Sequence, residues 1–290
     1  MGLTSWLDAR LGIPAPVPGR RGDPGLFGPG STVWKIGRER VLLAAGPAAL
    51  LLQLAHPLVA AAVAEHSRFT SDPFERLRAT LDAVLTISFG DRLQAEAAAT
   101  RVRAVHSRVR GRLDTAAGRY EPGTPYRADD PVLALWVHAT LVWSALEGYA
   151  TFVRPVSPAE RSEYHEEGKR FATLFGVTAD VMPATYADFV RYFEHTLATS
   201  LAVSQEAADL AAQVLAPPVP GSAVVLPVLR TVTAGLLPPQ IRDGFGLAWT
   251  KPRRLAFQAM RRSIAAGVHA SPPAARFWPH YRAGRSRARP

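Results

Sequence analysis

Apolar residues recur along this chain at helical spacing, and the breaks between them carry helix-start and helix-stop chemistry. Ser31 is placed to cap a helix that runs through Val41–Ala45. Pro47 opens a second helix, reaching about His66 with a kink near Pro57. Asp72-Pro73 pairs a cap with a proline at the first helical position. The helix it opens carries Leu77, Leu81, Val84, Leu85 and Ile87 and stops at Gly90. Asp91 caps a long helix to Gly111, and residues 112–128, rich in Gly and Pro, are read as loop. Asp130-Pro131 starts a helix through Trp136, Val137, Leu141 and Trp143, and Ser157-Pro158 starts another with Glu160 as its capping-box acid. Further helices are expected over Thr185–Leu197, Ser204–Leu215, Ser222–Leu236 and Pro252–Ala266. No alternating strand pattern of useful length and no repeat of solenoid period appears. The pattern predicts an all-α protein: an extended N-terminal arm (1–30), one helical domain (31–285) and a basic tail end (286–290).

Composition narrows this picture. With 290 residues, 48% hydrophobic and 20% charged, the chain can bury one sizeable core. It has no cysteine, which removes disulfides, thiolate nucleophiles, Cys-bound zinc, iron–sulfur clusters and covalent haem attachment through CxxCH. The net charge of +10 is unevenly placed. From Gly244 to Pro290 there are ten basic residues and no acidic one, while residues 1–243 balance the other 24 basic residues against all 24 acidic ones. Such a C-terminus is either a solvated extension or a contact for an acidic partner such as an anionic membrane surface. No repeated aromatic stacking pattern accompanies the charge, so nucleic acid is not expected. Val41–Val63 carries no formal charge and is long enough to span a bilayer, but Gly46-Pro47 and His56-Pro57 interrupt it; a buried core helix is expected. Arg20-Arg21 precedes Gly-Asp-Pro-Gly rather than an apolar run, which reads against export and for a cytoplasmic protein.

Motif chemistry is mostly negative. There is no GxGxxG, Walker A or GxSxG segment. His165-Glu166 begins like HExxH but lacks the second histidine, and no histidine has Glu three residues before it, as carboxylate di-iron sites require. Of the eight histidines, His165 and His280 lie in polar surroundings and are expected to be exposed. His138, in LWVHATLVW, reads as a core histidine, and His56 as a ring satisfying a carbonyl freed at the Pro57 kink. His106, in RVRAVHSRVRG, is different. Val102 and Val109 share its helical face, and Arg103 and Arg110 flank it by a turn each way. A half-buried ring among cations stays neutral, the form a metal needs. Haem would need only this one axial imidazole, and its propionates suit arginines. On spacing alone, an iron ligand and a structural core histidine both remain open.

The ordered segments LLQLAHPLVAAAVAEHSRF (51–69), DPFERLRATLDAVLTISFGD (72–91), RVRAVHSRVRG (101–111), LWVHATLV (135–142), LLPPQIRDGFGLAW (236–249) and RFWPHYRAG (276–284) resemble the latex-clearing protein and MpaB-type oxygenase family, abundant in actinobacteria. The resemblance implies a globin-like all-α core holding a non-covalent b-type haem, with His106 matching the proximal iron ligand. It implies a haem-side Arg-x-x-x-Thr pair, matching Arg76 and Thr80, and oxidative cleavage of a C=C bond with O2. Latex-clearing proteins place a lysine directly before that threonine; here the position is Ala79, so a distal lysine contact cannot form. Glu65 is the candidate base for an allylic proton; otherwise it is a helix-end surface carboxylate. The leading expectation is thus a haem-dependent oxygenase of an apolar, isoprenoid or lipid-like small molecule. Arg103 and Arg110 would hold the propionates. The alternatives are a non-catalytic haem carrier or sensor, and a membrane-surface protein using the basic C-terminus with a structural His106.

Overall fold

A computed structural model describes residues 12–66, 73–216 and 222–289, with the side chains of all but 73–76 and 222–225. Ser31 does cap the first helix: its Oγ accepts from the Trp34 amide and α1 covers Thr32–Gly37. A 3-10 turn over Arg40–Ala45 leads into α2 (Gly46–Leu54) and α3 (Pro57–His66). Where one kinked helix was expected, the chain breaks: the two apolar arms meet at 105°. Pro57 has no N–H to continue the ladder, and it starts a new helix instead. Next come α4 (Pro73–Phe89) and α5 (Arg92–His106), then β1 (Arg110–Arg112) and β2 (Pro125–Arg127). The long α6 (Pro131–Phe152), α7 (Pro158–Leu174), α8 (Tyr186–Thr199), α9 (Gln205–Val214), α10 (Ser222–Leu236) and α11 (Pro239–Gly244) follow. The chain closes with α12 (Lys251–Ala270), α13 (Pro273–Arg276) and α14 (Pro279–Arg287). Among the described residues the protein is all-α apart from one antiparallel hairpin of two three-residue strands, Arg110 opposite Arg127, with β1 starting in the expected end of the 91–111 helix and β2 in the segment expected to be loop. That hairpin also explains why α5 stops at His106 rather than Gly111: the next residues pair as a strand.

α6 forms the axis of the core. It is apolar almost all round and buries Leu135, Trp136, Ala139, Val142, Leu146 and Phe152. α2, packed beside it, buries Leu51, Leu52 and Leu54 completely, and Gln53 Nε2 donates to Thr140 Oγ1 at 3.1 Å across the two helices. The run 41–63 is therefore core. No single described helix is long and apolar enough to cross a membrane.

The basic C-terminus is not a solvated extension. Trp34 is fully buried, and its indole N–H donates to Ser88 O at 2.6 Å. The indole meets Phe89 and Tyr281 edge-on at 5.4 and 5.7 Å, so α14 is clamped onto α1 and α4. Glu39, with no exposed surface, takes a two-pronged contact from the Arg276 guanidinium, 2.8 Å at each oxygen. His280 is buried here, contrary to expectation, because Trp278 and Tyr281 carry that turn into the cluster. The N-terminal arm is tied to the same region through Gly22 N–H to Arg287 O (2.8 Å) and Arg20 N–H to Asp91 Oδ2 (2.7 Å).

Candidate functional site

α4 and α5 form an antiparallel helical hairpin across the Gly90-Asp91 turn. Asp91 caps α5 reciprocally with Gln94, and Gly90 N–H bonds Thr86 O at 2.8 Å. Position along a helix then sets what lies level across the pair. Thr80 lies nine residues before Phe89 and Arg101 nine after Arg92, so both stand about 14 Å from the turn. By the same count Arg76 is level with Val105, one residue before His106. The fold thus brings the Arg76/Thr80 stretch and His106 to one end of one hairpin. The Arg76 side chain lies outside the described residues; Thr80 and Ala79 are exposed.

His106 ends α5, half-buried, with its ring tilted against Phe175 at 6.5 Å. Phe175 packs on Phe171 (5.0 Å), and Phe171 stacks on His138 (6.0 Å), so an aromatic row leads from His106 into the core. Arg103 leans the same way, its Nη1 donating to Leu174 O at 3.1 Å and its Nη2 to Thr100 Oγ1 at 3.2 Å. Arg110 instead turns back to cap the end of α5 through Ser107 O. Among the exposed arginines at this end stand a few exposed apolar side chains: Ala79, Ala104 and Val105, the last 61% exposed. Small apolar side chains beside a half-buried imidazole, with guanidiniums around them, offer both kinds of surface that a haem edge needs. Among the described residues no group of three or more His, Asp or Glu side chains is placed to hold a bare metal ion. Haem needs only one such ligand, so the donor set fits it.

Glu65 and its neighbour build a second cluster just beyond His106. Tyr126, buried on β2, donates its phenol to Glu65 Oε2, and His66 Nε2 lies 3.2 Å from Arg110 O and 3.4 Å from the Tyr126 oxygen. Burial, then the Glu65 carboxylate, holds the Tyr126 phenol protonated well above the usual phenol range. Gly111 makes this possible: a Cβ there would lie 2.4 Å from the Tyr126 oxygen and 2.8 Å from Glu65 Oε2. Glu65 is thus a helix-end carboxylate with its side chain 57% exposed, but one held by a specific donor. Sequence reasoning missed Tyr126 and His66. The available signal was Gly111, five residues after His106.

Three further histidines, His56, His138 and His165, are core groups. His56 does not reach a freed carbonyl; its Nε2 meets the Tyr120 hydroxyl at 3.1 Å, and burial, helped by Arg119, lowers its pKa to about 4. His138 is likewise lowered to about 4 by burial and by His165. His165 is buried rather than exposed: its Nε2 meets Pro183 O at 3.1 Å, and its ring contacts Phe189 at 5.4 Å. The Nδ1 atoms of all three have no hydrogen-bond partner among the described residues.

A family model described as "ER-bound oxygenase mpaB/B'/Rubber oxygenase, catalytic domain" matches residues 33–266. The chain belongs to this family. Membership makes it an oxygenase-type catalytic domain, and the matched span takes in Glu65, Arg76, Thr80, Arg103, His106 and Arg110. The chain is also 26% identical to two mycobacterial proteins, Rv2237 of Mycobacterium tuberculosis and Mb2261 of Mycobacterium bovis. Each alignment runs over 220 residues, 73% of this chain and 83% of the relative. Both are named only as uncharacterized proteins. No solved structure matches the chain.

Proposed function

We propose that the protein is a haem b-dependent oxygenase that uses O2 on an apolar, isoprenoid or lipid-like small molecule, with His106 as the residue that would bind the iron. The observation that carries this is the placement of a half-buried imidazole beside exposed Ala104 and Val105, at the hairpin end that also holds Arg76 and Thr80, inside the span matched by an oxygenase family. When bound, the haem iron would supply O2 activation for oxidation of a C=C bond. His106 would hold the group from the end of α5, with Phe175 packing against the ring to fix its orientation. Arg103 retains guanidinium N–H donors beyond its two bonds and would pair a propionate. Arg110, engaged with its own helix end, would do so after turning outward. Thr80, with Arg76 one helical turn before it on α4, would serve the reacting side. Glu65 would accept a proton from substrate carbon, kept in place by the Tyr126 hydroxyl.

Expression with added haem precursor tests the reading. A red protein with a Soret band is expected, and His106→Ala should lose that band while keeping the wild-type far-UV circular dichroism. A colourless wild-type protein overturns haem dependence, and a His106→Ala variant with an unchanged spectrum places the ligand elsewhere. O2 uptake driven by an alkene substrate then distinguishes an oxygenase from a carrier or sensor.

A further inference from the structure

α10 and α12 pack side by side, and neither helix contains an Asp or Glu. Together they carry Arg230, Lys251, Arg253, Arg254, Arg261 and Arg262. The inner face of α12 is spent on the fold: Phe257 is buried, and Met260, Ile264 and Val268 pack on the core. Lys251, Arg254, Leu255, Gln258, Arg261 and Arg262 recur at helical spacing away from that face, and all are exposed. Among the described residues none of the basic ones in this stripe forms an ion pair with an acid; Arg253 and Arg254 only bond the carbonyls of Ala248 and Trp249. Large aliphatics stand among the cations, with Leu255 63% and Val228 41% exposed. Trp249, just before α12, rests edge-on against Phe257 at 5.6 Å under the Arg242 guanidinium.

We propose that the exposed face of α12, with the adjoining surface of α10, docks the protein on an anionic lipid bilayer. Cations in one stripe match the phosphate and carboxylate headgroups, and exposed Leu255 and Val228 match the acyl boundary beneath them. Nucleic acid would want free aromatic faces for stacking or a groove along the backbone. The aromatic here, Trp249, is already covered on one side by Arg242 and held by Phe257. The inner face is committed to the core, so α12 would lie on the membrane rather than enter it. A bilayer is also where a lipid-like substrate dissolves, but docking stands whether or not the protein binds haem.

The test uses the full chain, because α13 and α14 hold Trp34 and Glu39 in the core and a C-terminal truncation would unfold it. Sedimentation with vesicles of phosphatidylcholine alone should leave the protein in solution. Vesicles containing phosphatidylserine should pellet it, and added salt should release it. At roughly fivefold in partitioning per basic residue, the double variant Arg254→Glu/Arg261→Glu should bind more than tenfold more weakly. Its melting temperature should match wild type, since both side chains are exposed. Arg282→Glu/Arg285→Glu, the same charge change on exposed α14 positions, should bind nearly as wild type. Equal pelleting by both vesicle types would overturn the proposal. So would wild-type binding by the α12 variant, an equal loss from the α14 variant, or a response confined to an RNA or DNA oligonucleotide.

Discussion

Moving from pH 7 to pH 5 should cost this fold about 4 kcal/mol through two buried imidazoles. Burial holds both His56 and His138 at about 4 in the folded protein, against 6.5 when the chain is unfolded. Between those values the unfolded chain takes up a proton at each site and the folded chain does not, so stability falls as pH falls through 6.5 toward 4. At about 1.4 kcal/mol per pH unit, each site loses about 2 kcal/mol by pH 5. His165 is lowered as well, chiefly by burial, and adds in the same direction. Carboxylates that are stabilised when charged, such as Glu160 between Arg154 and Lys35, lose their contribution only at lower pH, since unfolded carboxyls titrate near 4. Urea unfolding at fixed pH values from 7 to 5 isolates the histidines. Wild type should lose about 4 kcal/mol and His138→Phe about half of that, whatever its absolute stability. A wild-type loss below about 1 kcal/mol, or an unchanged slope in His138→Phe, would refute the assignment of these rings as buried and neutral.

Gly111→Ala should destabilise by about 1–3 kcal/mol, because its Cβ meets the Tyr126 and Glu65 oxygens inside contact distance; a thermal melt reads this. Glu39→Ala should cost about 3–5 kcal/mol, since it strands the Arg276 guanidinium, only 20% exposed, beside an empty buried site; Glu39→Gln, which keeps the shape, should cost less in the same denaturation curve. Trp34→Ala should cost about 3–5 kcal/mol and free α14, making residues 279–287 the first site cut in limited proteolysis.

What the sequence disclosed is local chemistry. Ser31, Asp91, Asp130, Ser157 and Thr185 each cap the helix expected after them, since a cap is decided within three or four residues. The hairpin stayed hidden because three-residue strands are too short to show alternation, and its pairing joins residues some fifteen apart. His165 was misjudged from its linear neighbours Glu166, Glu167 and Lys169. Its face partners at helical spacing, Gly168 and Ala172, are the small residues that let α7 approach α6, and they mark it as buried. The C-terminus misled for a related reason: its charge was summed along the chain, while Trp278 and Tyr281, which decide its packing, find Trp34 only across the whole molecule. The candidate site divides the same way. His106 and its arginines could be found because they sit within one stretch of helix. Tyr126 could not, because its role depends on a glycine fifteen residues earlier and a carboxylate 61 residues away. A residue whose function is to hold another in place leaves its mark in tertiary contacts, and the one such mark visible in sequence was a glycine following His106 where a helix former would have continued the helix.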